Sequence, residues 1–194
     1  MRIEKTLVNA MLVCCFVIVL LTGAFLAFFY TPSGRVVYYG PYGPLLGIEM
    51  SGAYASALQL SFEVRGGLFI RQLHQWSSLI FLMGIVLRTV LSRAFLRALP
   101  WIALLGLGAL NVVIGYALTD DLFAGEILGE VPIPWWYGAH LLLALVVASA
   151  SVAAWQRAGA PRPRVLHSVV ICLNLALLTV FFPLNEIWLH GPSR

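Results

Sequence analysis

Four histidines stand out in a chain that is otherwise poor in ionisable side chains: His74, His140, His167 and His190. His74 lies about six residues inside one apolar segment and His140 about four inside another. At 1.5 Å per residue both fall within about 6–9 Å of the same membrane boundary. An ionisable side chain within an apolar span is costly and points to function. Two imidazoles at one depth on different helices can ligate a haem iron from both sides. The alternative is two separate histidines, each hydrogen-bonded to backbone or to the other. His167 and His190 have no partner at their depth and are expected to bind nothing.

Two glycines share the level of the histidines. Gly23 and Gly115 lie about six and about four residues from the same boundary, on two further segments. Glycine in a membrane helix permits close approach of something bulky. A macrocycle edge qualifies, although helix packing would explain each glycine separately. Arg71 precedes His74 by one helical turn and shares its face. A guanidinium suits a carboxylate such as a haem propionate, or a lipid headgroup.

These side chains need helices that cross a membrane. Of 194 residues, 61% are hydrophobic and 10% charged, which is too little charge for a water-facing surface. Apolar segments fall at about 7–29, 68–91, 101–118, 136–155 and 166–184, each near the roughly 20 residues a bilayer requires. The fold class is therefore an all-α integral membrane protein, one domain over 1–194. Four helices would form the bundle and a fifth would follow it. The first segment is longer than the roughly 7–15 residues of a signal-peptide core and lacks a clean small-x-small site, so it reads as a true span. The 30–67 connection is rich in Gly, Pro and Tyr, and its 53–62 stretch suits a short helix on the membrane surface. Asp120 and Asp121 read as a solvated loop or a helix cap, with a proton-relay role as the alternative.

Charge distribution orients the bundle. Arg2, Lys5, Arg88, Arg93, Arg97, Arg157, Arg162 and Arg164 fall on one side, and Arg35, Arg65, Arg71 and Arg194 on the other. The positive-inside rule puts the N-terminus in the cytoplasm and the C-terminus outside. Cys14, Cys15 and Cys172 lie in apolar runs without a C-x-x-C-H motif, so a haem would be held non-covalently.

The stretches LLTGAFLAFFYTPS, GPLLGIEMSGAYASALQLSFEVRGGLFIRQLHQW, GYALTDDLFAG, WYGAHLLL and NEIWLHGP are similar to the N-terminal half of the cytochrome b subunit of the cytochrome bc complex, a menaquinol–cytochrome c reductase, in its actinobacterial form. They occur in the family's order and cover nearly the whole chain. The resemblance implies a four-helix bundle that binds two haems. Each ligand helix carries two histidines fourteen residues apart, and each partner helix two glycines at that spacing, about 21 Å along the axis. It implies that His74 and His140 ligate the outer b-type haem, that Gly23 and Gly115 clear space for it, and that Arg71 contacts a propionate.

The departures gather at the second site. Fourteen residues beyond His74 and His140 stand Arg88 and Ala154, and fourteen before Gly23 and Gly115 stand Asn9 and Trp101. Only one haem is therefore expected. Gln75 and Thr119 are smaller departures, where relatives often have His and Pro. The family's acidic quinol-site motif and three more helices would follow NEIWLHGP, whereas the sequence stops at Arg194. A partner supplying them is expected.

The resemblance implies a respiratory electron-transfer subunit of an oxidoreductase in a bacterial plasma membrane, not self-sufficient as an enzyme. Its expected partners are the lipid bilayer, a quinol such as menaquinol, and Rieske, cytochrome c or cytochrome b C-terminal-half-like subunits. A homodimer is a further expectation, and no nucleic acid is. The rival readings are a non-catalytic haem-bearing assembly, storage or sensing protein, and a truncated copy.

Overall fold

The computed structural model describes residues 2–40, 43–92 and 94–157. The fifth apolar segment, His167 and His190 lie outside the described residues. Helix α1 runs Arg2–Phe29. It is followed by strands β1 (Val36–Tyr38) and β2 (Glu49–Ser51) and helix α2 (Gly52–Phe62). Then come α3 (Gly67–Val90), α4 (Phe95–Ala117), the short α5 (Asp121–Ile127) and α6 (Ile133–Arg157). Among the described residues, four stretches are long and apolar enough to cross a bilayer: Met11–Phe29, Gly67–Val90, Phe95–Ala117 and Ile133–Gln156. Their outward faces carry large apolar side chains, among them Leu21, Phe28, Met83, Leu142 and Leu145. Such a face is stable against lipid and unstable against water. The protein is an all-α membrane protein.

α4 begins at Phe95 and contains Pro100, so it starts before the 101–118 segment expected from sequence. Proline removes one intrahelical donor, and the apolar run around it carries the helix through. α1 packs most extensively on α3, α3 on α4, and α4 on α6. The ring closes at both ends. Toward the basic end, Val8, Leu12, Cys15, Phe81, Trp101 and Val147 form one buried core. At the other end the rings of Tyr30 and Tyr137 meet at 5.2 Å. Tyr30 donates its hydroxyl to the Leu118 carbonyl at 2.6 Å. Burial holds that phenol well above its ordinary range, so it remains a donor.

The connection before α3 is built as a cover over this second end. β1 and β2 pair antiparallel, with Val37 opposite Met50, a small hairpin that the sequence reading treats as loop. Ser51 caps α2, its hydroxyl accepting from the Tyr54 amide at 3.0 Å. The carboxylate of Asp121 accepts from the Ser51 amide at 2.7 Å and from the Ser51 hydroxyl. Asp121 thus ties the hairpin to α5. The turn into α3 needs its two glycines. Gly66 has φ +79°, which L side chains rarely adopt. A Cβ on Gly67 would stand 1.9 Å from the Leu60 carbonyl oxygen.

Candidate functional site

Between the two packed ends lies an apolar cavity of about 460 Å³, within the size range of small-molecule and cofactor sites. His74 and Arg71 reach it from α3, His140 from α6, Gly23 from α1, and Gly115 and Asn111 from α4. All five residues singled out from sequence therefore line one cavity.

Each imidazole is held the same way. His74 donates from Nδ1 to the Val19 carbonyl at 3.1 Å, and His140 from Nδ1 to the Asn111 carbonyl at 3.1 Å. Each acceptor stands four residues before a glycine, Val19 before Gly23 and Asn111 before Gly115. The reason is steric. A Cβ on Gly23 would meet His74 Cε1 at 3.0 Å, and one on Gly115 would meet His140 Cε1 at 2.9 Å. Only a helix with no side chain there lets an imidazole reach its backbone. The nearest neighbour of each glycine is thus an imidazole, a role the macrocycle reading had not included.

The carbonyl partners decide the tautomer. A carbonyl can only accept, so Nδ1 carries the hydrogen and Nε2 keeps its lone pair. That is the form an imidazole takes as a metal ligand, with its second nitrogen oriented by an acceptor. Among the described residues no group of three His, Cys, Asp or Glu side chains could hold a bare metal ion. Two imidazoles across a cavity instead suit a metal whose remaining ligands come with it, as in a haem.

Arg71 lies one turn toward the hairpin end from His74. Its Nη1 donates to Ser61 Oγ at 3.0 Å, while Nε is buried without a partner among the described residues. Asn111 Oδ1 is buried and unpartnered in the same sense. Sequence reasoning missed Ser61, the Val19 and Asn111 carbonyls, and Thr22, whose Oγ1 lies 3.1 Å from His74 Nδ1. Backbone acceptors leave no mark in residue identity. The adjacency of Thr22 to Gly23 was the one readable signal.

One level further toward the basic end, the bundle is filled. Arg88 Nε donates to Asn9 Oδ1 at 3.0 Å and Nη1 to Ser92 Oγ at 3.0 Å. Its guanidinium carbon lies 4.9 Å from the centroid of the Trp101 ring, within cation–π range. Asn9, Arg88, Trp101 and Ala154 are all buried, and none lines the cavity.

Known relatives carry the same assignment of class. No family model matches the chain. The chain is 42% identical over 149 residues to the cytochrome bc1 complex cytochrome b subunit of Corynebacterium diphtheriae, covering 72% of this chain and 26% of that subunit. It is 47% identical over 119 residues to the same subunit of Streptomyces coelicolor, covering 57% and 22%. The Mycobacterium tuberculosis subunit is 46% identical over 121 residues, covering 57% and 22%. The chain thus spans about a quarter of the length of the curated relatives it matches.

Proposed function

The chain is homologous to the cytochrome b subunits of actinobacterial bc1 complexes, and from that premise we propose that it is a membrane-bound b-type cytochrome of respiratory electron transfer carrying one haem. The observation that supports this most directly is the matched pair of clasps. Two imidazoles, each seated on a glycine and held by the carbonyl four residues earlier, face one apolar cavity. His74 and His140 would hold the iron through Nε2, and Arg71 would pair with a propionate. A haem bound there supplies one-electron chemistry. The protein orients the ligands, excludes water and sets their basicity.

The count of one haem rests on the level below. Four residues that would have to be two ligands and two clearances are Arg88, Ala154, Asn9 and Trp101, and they pack against the core instead. A haem near one edge of a hydrocarbon layer about 30 Å thick cannot relay an electron to the far side. The chain would therefore act with partners: a quinol such as menaquinol as donor, and Rieske, cytochrome c or other bc1-type subunits around it. The basic flanks support an inner N-terminus and a haem near the outer face.

The test is a reduced-minus-oxidised spectrum with haem stoichiometry on the detergent-purified protein. The expected result is one bis-histidine b-haem per chain, absent from His74→Ala and His140→Ala. Purification without haem sinks the proposal, and two haems per chain sink the count.

A further inference from the structure

The two clasps differ at one position. His74 Nδ1 lies 3.1 Å from Thr22 Oγ1 as well as 3.1 Å from the Val19 carbonyl. The carbonyl requires the hydrogen on Nδ1, so the hydroxyl must accept from the ring. Its own hydrogen is already engaged with the backbone, since Thr22 Oγ1 donates to the Ile18 carbonyl at 2.7 Å and has the Val19 carbonyl at 3.2 Å. With its hydrogen on the backbone, the oxygen can meet the imidazole only as an acceptor. Thr22 is 6% exposed, so water cannot easily replace it. The residue at the corresponding place beside Gly115 is Ile114, 3% exposed, whose side chain offers no acceptor. His140 relies on the Asn111 carbonyl.

We propose that Thr22 is a positioning residue that makes His74 the more electron-donating of the two ligands and thereby lowers the midpoint potential of the haem. The proposal rests on the haem reading above. A second acceptor on Nδ1–H increases the electron density of the ring, because outer-shell acceptors raise ligand basicity. A more basic ligand stabilises ferric over ferrous iron. The electrostatic effect is large here because the site is apolar and excludes water.

The test compares midpoint potentials of the purified wild type, Thr22→Val and Thr22→Ser by spectroscopic redox titration. Haem content per chain is measured on each. Thr22→Val keeps the β-branch and volume and removes the hydroxyl. It is expected to raise the potential at unchanged stoichiometry, while Thr22→Ser stays near wild type. An unchanged potential in Thr22→Val overturns the proposal. So does an equal rise in Thr22→Ser, which would assign the effect to packing. A wild type without haem overturns the haem reading and this one together.

Discussion

At the residue scale, the glycines carry more than clearance for a ligand. Gly115 and Gly23 allow the imidazoles to lie within 2.9 and 3.0 Å of where a Cβ would be, and that approach brings each Nδ1 to a backbone carbonyl. Gly115→Ala must push the His140 ring off its acceptor. Overpacking of this kind costs about 1–3 kcal/mol, roughly 5–150-fold in haem retention. Gly106 lies on the same helix with nothing within 4 Å of an added Cβ. Gly106→Ala should leave haem retention unchanged. Competition with apomyoglobin for haem would measure both. Equal retention in the two variants would remove the steric account. Both histidines and both glycines were legible in the sequence, because apolar segments expose their ionisable and small residues by contrast. Thr22 was not, because its effect depends on a hydroxyl lying 3.1 Å from a ring 52 residues away.

At the element scale, the basic ends of α1, α3 and α4 meet through one cation. Arg88 is buried between Asn9, Ser92 and the Trp101 ring. Arg88→Ala would leave Asn9 Oδ1 without its donor and a void beside Trp101. The expected loss is roughly 2–4 kcal/mol of stability, read as a lower midpoint in thermal unfolding of the haem-loaded protein. Arg88→His should not add a second haem, since Trp101 still fills the level and Ala154 offers no ligand; a haem count above one would contradict this. The sequence marked these four positions as departures. It could not say that three of them would find one another.

The cover at the opposite end is another element-scale device. Asp121 accepts two hydrogen bonds from Ser51, the residue that caps α2. Charge-assisted bonds of this type contribute roughly 1.5–3 kcal/mol each. Asp121→Ala is expected to loosen the 36–51 hairpin, measured as faster amide exchange there than in α3. Unchanged exchange would show that the hairpin stands without its tie. The sequence reading left Asp121 between loop, cap and relay, because only the fold brings it to Ser51.

At the scale of the whole molecule, the hairpin, α2 and α5 gather at one end of the bundle, and the basic α3–α4 connection lies at the other. The orientation we propose from the positive-inside rule puts the end bearing the cavity outside. Leu46 in the hairpin connection and Ala94, just before α4, are both exposed. In intact cells a membrane-impermeant maleimide should label Leu46→Cys, and Ala94→Cys only after permeabilisation. The reverse pattern would invert the orientation.

The sequence by itself determined the four membrane-crossing stretches seen among the described residues, out of five expected, and the shared depth of His74, His140, Gly23 and Gly115. Hydropathy and helical rise are local properties, and depth follows from counting residues to a boundary. Only the tertiary structure decided which atom holds each imidazole, that the glycines admit the rings themselves, and that Asn9, Arg88 and Trp101 form one cluster. These depend on rotation about helix axes and on distances between segments, which no spacing along one chain encodes.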